Sequence, residues 1–253
     1  MFKQLLNLPA ADQSLHSASP MRAFNLEVSW EELIGPLNDV EQKFAPPKVF
    51  VSGETSILLS GFRVSMVGSR KASARGEQRA RRLAQLVCGR GGVVVSGLAE
   101  GIDTAAHKGA IDAQGRTIAV IGTPLDKSYP RQNAALQHLI AERHLVVSQF
   151  PKGYPTLPQN FPMRNRTMAL ISDATVIIEA GETSGSISQG WEALRLGRGL
   201  FISKWITEST LKWPGKMIAH GAQVLSNENM ENFFESLPER HETFEWDALA
   251  FGT

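Results

Sequence analysis

VVVSGLAEGIDTAAH, residues Val93 to His107, joins three kinds of local structure in fifteen positions. Val93, Val94 and Val95 form a short β-branched run that predicts a strand. Ser96 to Gly101 is small and flanked by glycine, and Asp103 opens a segment of helical composition. A strand, a tight loop and a helix in this order leave backbone N–H groups unpaired at a helix N-terminus, where the helix dipole favours an anion. Gly97 and Gly101 would let a ligand approach the backbone closely. The pattern is neither GxGxxG nor a P-loop, and ordinary strand-to-helix turns also use glycine.

Working outward, the same alternation recurs. Lys48–Gly53 and Arg63–Val67 read as strands, and Gly68-Ser69-Arg70 reads as the loop after the second. Arg75–Arg90 reads as a helix with Ala80, Leu83, Ala84 and Val87 on one face; Arg79 and Arg82 fall elsewhere and read as solvated. Beyond the opening stretch come strands at Thr117–Ile121, Leu145–Val147, Ala174–Glu179 and Gly199–Ile202. The helices between them span Thr104–Ala113, Asn133–Ala141, Pro162–Leu170 and a last one opened by Ser184-Gly185-Ser186 and running to about Leu196, Pro162 suiting a first helical turn. Continuous apolar strands separated by helices predict an α/β protein with a doubly wound, mostly parallel Rossmann-like sheet, covered on both faces. Residues 1–45 are short of periodicity and are expected to form an N-terminal appendage. Residues 46–237 are expected to form the Rossmann-like domain, and 238–253 an acidic tail.

The composition, 42% hydrophobic and 20% charged over 253 residues, suits one large globular domain with small appendages. A single cysteine, Cys88, excludes a disulfide framework and a thiol metal cluster, so neither metal nor cofactor is expected. The opening MFKQLLNLPAADQ has too short an apolar run for a signal peptide, and no stretch is long enough to span a bilayer; a cytoplasmic protein is the expectation. Formal net charge is +1, but unevenly spread. Glu228 to Thr253 holds seven acids against Arg240 alone, a net of −6 that leaves +7 on residues 1–227. A basic body with an acidic end is compatible with a polyanion-binding surface.

Three strand-to-helix junctions carry candidate anion ligands: Gly68, Ser69 and Arg70; Ser96, Gly97, Gly101 and Asp103; and Ser184, Gly185 and Ser186. In an open parallel sheet such junctions line one carboxyl edge, where ligands bind near the reversal of strand order. A mononucleotide, or successive phosphates of a strand, would fit them. In FPMRNR, residues 161–166, Arg164 and Arg166 are two apart and diverge on a helix, so one is expected to meet a ligand while the other fixes the framework. Arginine suits phosphate through its planar fork; an ion pair with Glu179 is the competing role for one of them. Catalytic candidates are thin. Asp103 and His107 are four apart and could pair, but Ser69, Ser96 and Ser186 lack an adjacent base, and no nucleophile elbow or metal-ligand pair is present. Binding rather than catalysis is expected.

In order and spacing these motifs resemble the DNA-processing protein A family (DprA, also called Smf). The stretches that carry the resemblance are VGSR (67–70), SGLAEGID (96–103) with His107, GRTIAVIG (115–122), LDKSYPRQN (125–133), FPMRNR (161–166), IIEA (177–180), SGS (184–186) and GKMIAHGAQVLS (215–226). They cover residues from about Pro46 to Leu237. The resemblance implies an extended Rossmann fold that binds single-stranded DNA without catalysis, as a homodimer, and helps load the RecA recombinase during natural transformation. By motif it places DNA contact on Arg70, the loop Gly97–Gly101, Lys127 or Arg131 beside the YP motif, Arg164, Asn165 and Arg166, and Ser184–Ser186. A basic groove of this kind supplies affinity that falls as salt rises.

The chain departs from the family pattern at Gln149, where glutamate is usual, at Thr123-Pro124, and at Ser203-Lys204, where Pro-Gly is usual. On this reading 253 residues leave no room for the helical SAM-like and winged-helix domains that family members often carry. Two cellular roles stay open, transformation and a specialised one in a mobile-element or defence setting. The alternative from a different class is a nucleotide sensor or phosphoribohydrolase-like enzyme on the same sheet edge. Its PGGxGT signature is absent, residues 181–186 reading GETSGS. Trp205, Trp213 and the segment around Gly221-Ala222 are expected to offer apolar surface to a second subunit.

Overall fold

A computed structural model describes residues 22–238. In chain order its elements are β1 (Arg22–Val28), α1 (Trp30–Ile34), α2 (Asp39–Phe44), β2 (Val49–Glu54), β3 (Arg63–Gly68), α3 (Ala74–Gly89), β4 (Val93–Ser96) and α4 (Ile102–Asp112). Then follow β5 (Arg116–Ile121), α5 (Ala134–Arg143), β6 (Leu145–Ser148), α6 (Asn160–Leu170), β7 (Ala174–Glu179) and α7 (Gly185–Arg195). The last are β8 (Gly199–Ser203), α8 (Lys204–Thr207), α9 (Trp213–Ala219), β9 (Gln223–Leu225) and α10 (Met230–Glu235). One nine-stranded sheet runs β1-β2-β6-β5-β4-β3-β7-β8-β9. Every pair from β6 to β9 is parallel, and β1–β2 and β2–β6 are antiparallel. The doubly wound, mostly parallel sheet expected from the sequence is therefore present.

Successive side chains of a strand point to opposite faces. Val93 and Val95 accordingly join Ile118, Val120, Met168 and Ile202 in one core, while Val94 joins Val64, Met66 and the Ala80, Leu83, Ala84 and Val87 stripe of α3 in the other. Fully burying each such Val or Leu contributes roughly 1.5–3 kcal/mol, so two apolar layers hold the sheet from both sides. Ser73 caps α3 by accepting from the Gly76 amide at 3.0 Å. Arg63 and Asp173 fasten the N-terminal ends of β3 and β7, with the Arg63 amide donating to the Asp173 carboxylate at 2.8 Å.

Two strands were not anticipated. β1 pairs with β2 across the edge of the sheet, and Trp30 and Leu33, in the stretch read as an appendage, are buried in the first core. β9 adds a ninth strand after β8, where the sheet was expected to end. Both strands are short of the apolar runs that mark buried parallel strands: RAFNLEV mixes polar and apolar residues, and QVL has three positions. Trp213, expected at a subunit surface, is 6% exposed and belongs to the first core. The acidic tail lies outside the described residues except for Pro238. Among the described residues, no helix is long and apolar enough to cross a membrane.

Candidate nucleic-acid interface

From β3 the chain winds one way through β4, β5 and β6, and later the other way through β7, β8 and β9. The reversal lies between β3 and β7, so the loops after β3, β4 and β7 converge on one crevice at the carboxyl edge. Two open cavities occupy it, of about 470 and 800 Å³, and they share Arg70, Ala99, Phe161 and Arg164. Together they form one groove. Its narrower part is lined by Gly68, Ser69, Lys71 and Ser184–Ser186, its wider part by Gly97, Glu100, Tyr129 and Arg131.

The three loops stand back to back with no space for side chains between them. The Ile102 amide donates to the Ser69 carbonyl at 3.2 Å, and the Ser69 amide to the Glu179 carbonyl at 2.6 Å. Gly101 has φ of +71°, and a β-carbon there would stand 2.3 Å from the Ser69 carbonyl oxygen; glycine alone meets both demands. At Gly97 a β-carbon would lie 1.6 Å from Nη1 of Arg164. The arginine thus passes directly over the backbone of the β4 loop.

Arg164 comes from α6, is 6% exposed, and donates through Nη1 to the Val120 carbonyl at 2.8 Å. Its Nε has no hydrogen-bond partner. Burial pulls its pKa down, and the nearby charge of Asp103 opposes that shift; burial likewise pushes the Asp103 carboxyl up, against the charge of Arg164. Asp103 also accepts from the Ala99 amide at 3.3 Å. Arg164 thus sets a buried guanidinium in the groove floor, with Asp103 also lining it. Arg70, by contrast, is exposed, and its guanidinium lies 5.3 Å from the centre of the Phe161 ring. The Tyr129 ring sits 5.1 Å from Phe161 at 44°, and Tyr129 is 44% exposed. An exposed cation over Phe161, with Tyr129 beside that ring, offers a phosphate ligand and a stacking face side by side.

The other expected site residues divide. Ser184 caps α7, its hydroxyl 2.7 Å from that of Ser186, and Asn165 donates to the Gly185 carbonyl at 3.4 Å. Gly185, Ser186 and Asn165 line the narrow part, at the positive end of an eleven-residue helix. Arg131 lines the wide part. Lys127 does not line the groove; its Nζ donates to the Tyr154 carbonyl at 3.1 Å and ties down the following segment. Ser96 is buried and donates to the Met66 carbonyl at 2.6 Å, joining β4 to β3. Arg166 points away from the groove, 3.4 Å from Glu192 and 6.0 Å over the Phe44 ring. Of the diverging arginines, Arg164 therefore faces the groove and Arg166 fixes the framework. Glu179 pairs with neither: it accepts from the Ser73 amide at 2.8 Å and the Ser73 hydroxyl at 2.6 Å.

Asp103 and His107 do not form the pair their spacing allowed. His107 is fully buried, with Nδ1 2.7 Å from the Thr117 hydroxyl, which itself donates to the Val94 carbonyl. Burial, with the nearby charges of His144 and Arg164, pushes its pKa down to about 3. It is a neutral core histidine. Among the described residues no cluster of three His, Cys, Asp or Glu forms a metal site. The aromatic platform was missed on the sequence, although both rings sit inside the quoted LDKSYPRQN and FPMRNR stretches.

The model of the family "DNA recombination-mediator protein A" matches residues 30–238. A DNA processing protein DprA of Bacillus subtilis is 36% identical over 200 residues, 78% of this chain and 67% of the relative. Among solved structures, DNA processing protein A from Streptococcus pneumoniae superposes with a TM-score of 0.72 at 32% identity, covering 85% of this chain and 75% of that one. A structure concerned with the single-stranded DNA binding mode of DNA processing protein A from Helicobacter pylori gives 0.69 at 26% identity, covering 85% and 98%. The chain spans between 42% and 67% of the length of most of the curated relatives it matches. The shared sheet and the match across nearly all described residues place this chain in the DNA recombination-mediator protein A family.

Proposed function

We propose that this chain binds single-stranded DNA along the groove between the β3, β4 and β7 loops, and acts as a recombination mediator rather than as an enzyme. The observation that carries the reading is the stacking of exposed Arg70 on Phe161, with Tyr129 alongside, above loops lined by backbone amides and hydroxyls. Rings accept any base and cations accept any phosphate, which is what sequence-tolerant single-strand binding requires. Family membership and the Helicobacter pylori relative's single-stranded DNA binding mode support it.

The same reading extends to a cytoplasmic homodimer that delivers DNA to a RecA-type recombinase. One groove per subunit is short, and two grooves on one strand gain from effective concentration. Light scattering at micromolar concentration tests this: a monomer mass with and without oligonucleotide would remove the dimer.

Titration of a labelled oligo-dT, competed with nucleoside monophosphates, tests the binding itself. Saturable oligonucleotide binding that weakens with salt by a log–log slope of about −0.7 per neutralised phosphate is expected, with no displacement by monophosphate. Saturable monophosphate binding without oligonucleotide binding would replace this reading with a nucleotide sensor or hydrolase.

A further inference from the structure

A second groove, of about 610 Å³, opens between α3 and the segments that follow β8 and β9. On α3, Arg75, Arg79 and Arg82 stand at i, i+4 and i+7, so one stripe of the helix carries three exposed cations over about 10 Å. The facing wall is the end of β8 and the start of α8, Ser203, Lys204 and Trp205. Trp205 donates its indole N–H to the Ile178 carbonyl at 2.9 Å, which fixes the ring, and the Arg79 guanidinium lies 4.8 Å from its centre. Among the described residues, neither Arg75 nor Arg82 has a carboxylate within 4.0 Å. Glu208 and Glu228 also line the groove, and Glu228 stands 3.8 Å from Lys204.

Like charges at i, i+4 on a helix repel, and among the described residues Arg79 alone of the three lies over an aromatic ring. The position of the stripe relative to the first groove is informative. Lys71 and Gly181 line the crevice, while Arg75 and Ile178 line the second groove. Along both segments the Ser73–Glu179 hydrogen bonds fall between these lining residues. A strand leaving the crevice beside Lys71 meets Arg75, four residues on at the start of α3. The 10 Å stripe spans about three steps of a stacked strand at its ~3.4 Å axial rise per nucleotide.

We propose that single-stranded DNA bound in the crevice continues over the Ser73–Glu179 contact into this second groove, with phosphates on Arg75, Arg82 and Lys204 and a base against the Arg79–Trp205 stack. The proposal rests on the single-stranded DNA reading above and lengthens its site. Ser203-Lys204, a departure from the family pattern in the sequence, supplies part of the groove.

The test compares oligo-dT of about 6 and about 20 nucleotides, lengths within and beyond a typical single-fold site, on the full chain. The double variant Arg75→Ala/Arg82→Ala should bind the long oligonucleotide on the order of tenfold more weakly, with a salt slope shallower by about 1.4, two phosphates at ~0.7 each. It should bind the short one as the unmodified chain does, with an unchanged melting temperature. Unchanged long-oligonucleotide affinity overturns the proposal, as would the case in which the groove instead holds the chain's own acidic segment 239–253 and the variant binds DNA more tightly. Equal loss on both lengths also overturns it. If the unmodified chain binds neither length, the single-stranded DNA reading itself fails, a distinct outcome.

Discussion

Nη1 of Arg164 occupies the space that a β-carbon on residue 97 would need, 1.6 Å away. Gly97 and Arg164 are therefore one unit: the glycine of the β4 loop is the slot through which the buried arginine reaches the groove and the Val120 carbonyl. Gly97→Ala must displace that guanidinium. Its expected result is a loss of oligo-dT affinity of at least tenfold, together with destabilisation of about 1–3 kcal/mol from overpacking. Anisotropy titration and urea unfolding measure the two effects separately.

Arg70 and Arg166 should behave as opposites. Arg70→Ala removes an exposed cation from the groove and should weaken oligonucleotide binding while making the salt slope shallower by about 0.7. Arg166→Ala breaks a half-exposed ion pair with Glu192, worth about 0–1 kcal/mol of stability, and should leave binding unchanged. Equal effects of the two on affinity would contradict the assignment of their roles.

The ring platform predicts losses that salt does not change. Phe161→Ala or Tyr129→Ala should each cost about 1–3 kcal/mol of binding, the scale of one base stacked on an aromatic side chain, with the salt slope retained. A Phe161→Tyr variant should keep most of the affinity. Loss of slope rather than of intercept would show that the rings act by positioning Arg70.

His107 links stability to pH. Its folded pKa of about 3 lies below the unfolded value near 6.5, so the unfolded chain binds more protons between them. Stability is thus present above pH ~6.5 and is lost as pH falls toward ~3, by at most about 1.4 kcal/mol per pH unit. Asp103, whose pKa burial raises, acts in the opposite sense above its unfolded value, so the difference between proteins is the clean measure. Urea unfolding of the parent chain and His107→Gln at pH 7, 6 and 5 should show the gap between them closing as pH falls. A constant gap would mean that His107 takes up its proton in the folded chain as readily as in the unfolded one.

How far the sequence could be read follows from how each signal is written. Fully buried strands such as Val93–Ser96 and Ala174–Glu179 are unbroken apolar runs, and their positions were legible to within a residue. β1 was not, because an antiparallel edge strand needs no such run. The glycine loops were legible as tight strand-to-helix turns because their backbone demands are local. The separation of Arg164 from Arg166 was visible as divergence on a helix, but which one faces the groove depends on Glu192 and Phe44, 26 and 122 residues away. Ser96, Lys127 and His107 each looked available for chemistry; each spends its polar atoms on a neighbouring strand or loop, at Met66, Tyr154 and Thr117. Tyr129 and Phe161 escaped because two aromatic residues 32 positions apart form a platform only once α6 is folded against the loop after β5.

The most direct measurement is the structure of the chain with a short oligo-dT bound. A strand is expected in the groove between the β3, β4 and β7 loops, with a phosphate on Arg70, another at the amides of Gly185 and Ser186, and a base against Phe161. A strand bound elsewhere, with the groove empty and Arg70 still lying on Phe161 as in the free chain, would contradict the account.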